Sequence, residues 1–316
     1  MQPVYINHKS EILFLYETTY NIPNGDPFTG EQRYDEETKK ILVSDVRMKR
    51  FVRDYLASIG EEIYVIGDKS HAEGTESGSA SRLKSLQTVI FKSELAEAQK
   101  AKSKDFSPAL FVMKKCIDVR LFGGISTAKG DAINLTGPVQ FSLLNPSLNE
   151  VNLRMHQNTS VFSSSAEKSQ GAIGTTSLVP FSLVQIHGWL NSKVAELTGM
   201  TEADLNNLFR GLWYGTSGEG SSHSRSKIGQ NSVLLLEIVY SDKNYKFYGL
   251  DRLIRFEPKE GKKGEEVRSM DDYELNFSDL LEAANSEKIS QVNYFTEITS
   301  IAENFSSNKK FKEIKL

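Results

Sequence analysis

The sequence predicts an α+β fold on a ferredoxin-like sheet, in the order strand, helix, strand, strand, helix, strand, with long insertions between the elements. Three observations predict it. Glu11–Thr19 is a dense run of β-forming residues, Ser44–Ile59 has the period and caps of an amphipathic helix, and a second capped helix at Thr201–Trp213 precedes the apolar strand Ser232–Tyr240. The apolar strand content suits a buried central sheet, and the spacing leaves room for excursions from it.

Glu11–Thr19 runs into Asn21-Ile-Pro-Asn-Gly-Asp-Pro27, where Asn24-Gly25 favours positive φ and a tight turn. A polar loop with Arg33 and the apolar step Ile41-Leu42-Val43 lead to the first helix. On that helix Met48, Phe51, Val52, Tyr55 and Ile59 share one arc, and Lys49, Arg50 and Arg53 gather on the opposite one. Ser44 is the expected N-cap, Asp45 suits the positive end of the dipole, and Gly60 stops the helix. Asp68–Arg82 reads as a Ser/Gly/Glu-rich loop and Leu83–Asp105 as helix. Ile117–Phe122 alternates as a half-buried strand that Gly123-Gly124 ends, and Gly137–Leu144 and Leu178–Ile186 give further strands. Asn145–Ser177, long and polar, is expected to project as an extended hairpin. Gly215–Gly229 is a Gly/Ser-rich loop. In the tail, a short strand pair near Tyr245–Phe256 precedes helical stretches near Phe277–Ala284 and Ile298–Phe305. The overall order is that of an RNA-recognition-motif sheet, a frequent platform for single-stranded RNA.

Composition limits the function. The chain has 316 residues, 39% hydrophobic and 25% charged, ordinary for a globular protein with one elaborated domain or two. No apolar run spans a bilayer and no signal-peptide pattern opens the sequence, so the expected location is cytoplasmic. The single cysteine, Cys116, excludes an internal disulfide and a cysteine zinc cluster, and reads as a small buried filler. A net charge of −3 means that RNA binding needs a local basic groove, with acids such as Glu265, Glu266, Asp271 and Asp272 elsewhere.

Helix N–H groups, a capping hydroxyl and clustered cations around Arg47, Lys49, Arg50 and Arg53 suit successive phosphates, though a solvated basic face has the same pattern. The Asn24-Gly25 turn can offer backbone N–H groups to phosphate or be an ordinary turn. Arg225 and Lys227 add cations to the Gly-rich loop, which lacks the GKS/GKT ending of a P-loop. Met155, Val161 and Phe162 are apolar residues in polar surroundings that can wedge between bases or fold onto the core. The five histidines, His8, His71, His156, His187 and His223, show no zinc spacing and no triad, and only His223 invites an acid–base role. Asp26, Asp35 and Asp45 could hold a metal, but no metal or cofactor is required.

Pro-Asn-Gly-Asp-Pro (23–27), Ser-Asp-Val-Arg-Met-Lys-Arg (44–50), Ile-Asp-Val-Arg-Leu-Phe-Gly (117–123), Thr-Gly-Pro-Val-Gln-Phe-Ser (136–142) and Arg-Ser-Lys-Ile-Gly-Gln (225–230) occur in that order. From Glu11 to about Tyr240 the chain resembles the CRISPR-associated backbone subunit of type I Cascade complexes (the "Cas seven" group), most of all its type I-B branch. The resemblance implies a hand-shaped molecule: palm at 1–60, 116–144 and 178–240, helical fingers at 61–115, a β-hairpin-like thumb at 145–177, and a C-terminal extension at 241–316. It implies a non-catalytic protein that binds guide crRNA without reading its sequence, polymerises head to tail along it, and presents it to target DNA. Implied partners are crRNA, target DNA, further copies of the chain, and the large, small, 5′-handle-binding and 3′-end-processing Cascade subunits. Asn24, Gly25, Ser44, Arg47, Lys49, Arg50, Arg53, Gly123, Gly124, Arg225 and Lys227 would hold the guide, and Met155, Val161 and Phe162 would form the thumb wedge. The rival readings are a crRNA-processing endoribonuclease using His223, a type III subunit that cleaves target RNA, and a single-strand RNA-binding module working alone.

Overall fold

The computed structural model describes residues 3–66, 78–101, 106–127, 132–159, 173–218 and 225–316. From the N-terminus, β1 (Ser10–Asn21) leads through a small hairpin, β2 (Tyr34–Asp35) and β3 (Lys40–Ser44), into α1 (Asp45–Ser58). Next come α2 (Ser79–Ser85), a π-helical turn at Leu86–Ile90, α3 (Lys92–Lys100), α4 (Pro108–Lys115) and α5 (Ile117–Phe122). β4 (Gly123–Ser126) pairs with β5 (Ile133–Thr136), and β6 (Val139–Phe141), β7 (Leu144–Pro146), β8 (Arg154–Thr159) and β9 (Ile173–Leu190) follow. α6 (Ser192–Thr198) and α7 (Glu202–Ser217) precede β10 (Gln230–Tyr240). The last part carries β11 (Arg255–Pro258), β12 (Tyr273–Asn276), α8 (Ser278–Ala284), β13 (Ile289–Phe295), α9 (Thr299–Ala302) and β14 (Phe311–Glu313).

The main sheet runs β14-β13-β10-β1-β9-β6, with β8 paired to the start of β9. β1 is antiparallel to both neighbours, and β6 is antiparallel to β9. Both faces of β1 are covered, because its alternate residues enter two different cores. Ile12, Phe14 and Tyr16 pack with α1 and α7 residues such as Phe51, Val52 and Leu212. Leu13 and Leu15 pack with the C-terminal layer, including Ile254, Phe277 and Val292. A third cluster, among them Tyr64, Leu86, Met113 and Cys116, joins the segment after α1 into its own small core. Cys116 is buried there, and burial pushes its thiol up, as expected of a filler.

Several expected elements appear where the pattern placed them, including Ser44 as N-cap and Gly60 just past the helix end. Leu56, rather than the 45% exposed Ile59, completes the buried face of α1. Ile117–Phe122 is a helix, not a strand. Its polar residues do not face water: Asp118 is fully buried, and Arg120 is held by Asp204 at 2.7 Å, so the alternation never marked a solvated face. The strand that does follow α1 in the main sheet is β6. The expected strand Gly137–Leu144 divides, with β6 on β9 and β7 on β3, and the buried Asn145 amide donates to the carbonyls of both Val43 and Ser142 at the break. Residues 145–153 lie on the body, where Asn145, Ser147, Asn149 and Val151 are buried. The two-stranded arm begins at Arg154, paired with Leu178. Tyr245–Phe256 forms no strand pair. β11 instead pairs with β12, which lies beyond an intervening loop. Gly215 belongs to α7, which ends at Gly218, so the loop expected from Gly215 starts later.

That glycine allows α1 and α7 to touch. A Cβ on Gly215 would sit 2.6 Å from the Phe51 carbonyl oxygen, and one on Gly211 2.9 Å from Val52 Cγ1. Gly215→Ala should therefore destabilise the fold by about 1–3 kcal/mol through overpacking. A lowered urea midpoint is expected, and an unchanged midpoint would show that the helix crossing has slack.

Candidate nucleic-acid interface

The carboxyl end of β1, the N-terminal half of α1 and the strap at Arg225–Gly229 meet at one place. β1 delivers Tyr16 on its helix-facing side, and α1 delivers Arg47 one turn in from the Ser44 cap. The strap is held to β1 by Thr19 N–H to Gly229 O (2.9 Å), Ile22 N–H to Ser226 O (2.9 Å) and Asn21 Nδ2 to Ile228 O (2.8 Å). Lys227 reaches back from it, and its Nζ donates to the Ile22 carbonyl.

Arg47 lies with its guanidinium 3.9 Å from the centroid of the Phe51 ring. Its Nε and Nη2 are buried without a hydrogen-bond partner, and so is the Tyr16 hydroxyl. Among the described residues, neither Arg47 nor Lys227 forms an ion pair with a carboxylate. Burial pushes the Arg47 guanidinium down to about 10. Lys227 is pushed down to about 8, by burial first and repulsion from Arg47 second. Two desolvated cations, one of them with orphaned donors, cost free energy unless an anion completes them. Guanidinium, ammonium and phenol together suit a phosphate oxygen.

The other cations of α1 are committed within the chain. Lys49 Nζ lies 3.1 Å from both Asp45 Oδ2 and Gln140 Oε1. Arg50 pairs with Asp54 at 2.7 Å in an exposed contact. Arg53 donates to Asp118 at 2.9 Å, and Asp118 also accepts the N–H groups of Tyr64 (2.7 Å) and Val65 (3.0 Å). The Phe122 ring lies near both Lys49 and Arg53, at 5.7 and 5.3 Å. Beside it a cavity of about 1120 Å³ opens among Arg53, Tyr64, Arg82 and Leu135. Its arginines are neutralised, Arg53 by Asp118 and Arg82 by Glu62, so it lacks the free charge of the Arg47 site.

The glycines and the Asn24 turn act differently from expectation. Positive φ falls at Gly30, not at Asn24 or Gly25. The turn N–H groups of Asn24 and Asp26 are used by Gln32 Oε1 (2.9 Å) and Glu31 O (2.7 Å), leaving neither for phosphate. The buried Asn24 instead accepts the Ser44 N–H at 2.6 Å, tying the loop to the start of α1, and Gly25 bridges to Gln32. Gly123 has φ +81 and no room for a Cβ, which would fall on the Leu135 carbonyl, while one on Gly124 would meet Met113 Cε at 3.0 Å. Gly123 is glycine because backbones approach there, and Gly124 because side chains of the small core close over it. Asp26 pairs with Arg33, and Asp35 accepts the Thr38 hydroxyl (2.6 Å). Among the described residues no group of three metal-ligating side chains occurs. Met155 on β8 is 70% exposed. His71, Val161, Phe162 and His223 lie outside the described residues, as does the Arg225 side chain. Among the described residues no helix is long and apolar enough to cross a membrane.

Sequence reasoning missed Tyr16, Asp118 and Gln140. A phenol at the end of the otherwise aliphatic and aromatic face Ile12, Phe14, Tyr16 was the readable signal for the first. The other two needed the fold. Asp118→Ala should cost on the order of 3 kcal/mol, because it strands Arg53 and two backbone donors. Arg50→Ala should cost under about 1 kcal/mol. Denaturation midpoints check the contrast, and equal losses would contradict it.

The family model described as "CRISPR-associated protein Cas7" matches residues 8–278. A "CRISPR-associated protein Cas7" of Haloferax volcanii is 29% identical over 295 residues, covering 87% of this chain and 82% of that protein. Among solved structures, a chain of a "CRISPR RNA-guided surveillance complex" aligns over 98% of this chain and 95% of its own, with TM-score 0.52 and 12% identity. A second, from such a complex in a pre-nicking state, aligns over 98% and 96%, with TM-score 0.51 and 14% identity. These two establish likeness of fold, and the family match spans both the β1–α1 half and the strap that meet at Arg47. The chain belongs to the CRISPR-associated Cas7 family.

Proposed function

We propose that the chain is a backbone subunit of a type I CRISPR surveillance complex that holds guide crRNA by its phosphates. The observation that carries this is the Arg47–Lys227–Tyr16 cluster, positive, desolvated and incomplete without an anion. A guide carrier must accept any sequence, so its contacts belong on phosphate and ribose, with base edges left free. The β1, α1, β6, β9, α7, β10 order serves as an RNA-recognition-motif palm, the helices between α1 and β4 as fingers, and the β8–β9 arm as a thumb. Copies would assemble head to tail along the RNA, with other Cascade subunits capping the ends, in a heterologous and open arrangement. The reading needs no catalytic residue. It accommodates the net charge of −3, since the cations that matter are few and most others on α1 are already paired.

Direct binding tests it. Arg47→Ala and Lys227→Ala should each weaken crRNA binding whatever the spacer, and lower the salt slope by about one unit per lost phosphate contact. Arg50→Ala should do less, since its partner is on its own helix. Loss confined to particular spacers would contradict the proposal.

The Lys227 charge gives a pH signature. The ammonium attracts phosphate below its free value of about 8, so crRNA affinity should fall as pH rises through 8 to 9, with proton uptake on binding. Lys227→Arg should flatten that fall. A profile already flat in the unsubstituted protein would remove Lys227 from the contact.

A further inference from the structure

Beside the two cations the surface turns apolar. Thr18 pairs with Gln230 in the β1–β10 ladder, and Thr19 N–H to Gly229 O and Ile22 N–H to Ser226 O carry the antiparallel register past its end. That register sets Tyr20 opposite Ile228. The two are 63% and 66% exposed, an outward-facing apolar pair at a place where a chain can easily present polar residues. Lys227 is next in sequence to Ile228, and its ammonium folds back to Ile22, two residues beyond Tyr20.

Tyr20 is also held in an unusual backbone state. Its φ is +48°, one of two non-glycine residues with positive φ among those described. A bulky aromatic residue is strained there, and Asn21 keeps it there by donating to the strap at Ile228 O and accepting from the Thr18 hydroxyl. Glycine or asparagine would adopt this conformation with less strain, so packing and backbone demands do not explain the ring.

We infer that the Tyr20–Ile228 pair is a stacking platform for one nucleobase of the strand whose phosphate sits at Arg47 and Lys227. This rests on the phosphate reading above. The occupant must bring negative charge and a flat apolar face within one residue's reach of each other, and a nucleotide carries both. A protein partner would have to supply an acid for the two cations and a separate apolar side chain. Stacking on an aromatic face accepts every base, which suits a carrier of arbitrary guides.

The full-length chain is titrated with single-stranded oligo-A and oligo-U, and with an abasic oligomer of the same length. Tyr20→Ala should weaken both base-bearing oligomers roughly tenfold or more, leave the salt slope unchanged, and spare the abasic oligomer. Tyr20→Phe, which keeps the ring, should bind as the unsubstituted protein does and controls for folding. Unchanged affinity of Tyr20→Ala, or an equal loss on the abasic oligomer, would overturn the platform. So would loss of RNA-free self-association in Tyr20→Ala, which would make a second copy the occupant. Arg47→Ala and Lys227→Ala, measured alongside, separate the two ideas. If they bind normally the phosphate site fails; if they weaken binding while Tyr20→Ala does not, only the platform fails.

Discussion

Burial of β1 on both faces constrains everything else in this molecule. A strand with no solvated face must send alternate side chains into two cores, and the chain supplies two: helices α1 and α7 on one side, the C-terminal layer on the other. The constraint also binds its polar residues. Glu11 is buried near the amino end of the strand and is satisfied by His187 (2.7 Å) and the Tyr240 hydroxyl (2.6 Å). On the neighbouring strand, Glu237 accepts from Ser10 (2.8 Å) and Asn293 (2.8 Å) and contacts the His8 ring at 2.9 Å. Buried carboxylates hold their place only when hydrogen-bonded, and every oxygen of these two has at least one partner. His8 and His187 thus find a structural use at the end of the sheet remote from the strap.

The opposite end of β1 breaks that rule. There the Tyr16 hydroxyl and two Arg47 nitrogens are buried without partners, and Lys227 is desolvated beside them. The polar groups at one end of the strand are thus satisfied, and those gathered at the other end are not. A fold tolerates orphaned donors where a ligand completes them. The remaining basic residues of α1 follow the usual rule: Lys49, Arg50 and Arg53 have acids in reach. The paired basic face and the unpaired Arg47 are therefore different things here, although they share one helix.

The loop at Asn21–Gln32 is the device that joins these parts. Asn24 offers its own donor to Gln32 and accepts the Ser44 N–H, so the loop after β1 sets the start of α1 and hence the direction of Arg47. The hydrogen bonds of Asn24 in Pro-Asn-Gly-Asp-Pro are thus spent on building the loop and the entry to α1. Gly123 plays a similar part, letting two backbones approach next to Phe122.

The amino-acid sequence by itself determined β1, α1, α7 and β10, because each combines a long periodic pattern with caps or turn residues that act locally. It also singled out Arg47 as a candidate, through the motif Ser-Asp-Val-Arg-Met-Lys-Arg. Only the tertiary structure decided that Ile117–Phe122 is helical. Six residues hold fewer than two turns, and the cue that Asp118 is buried comes from Tyr64, Val65 and Arg53, all distant in sequence. Tertiary structure likewise decided which cations are free. Ion pairing between Arg53 and Asp118, and the meeting of Arg47 with Lys227, depend on which elements are brought together, and no local period records that.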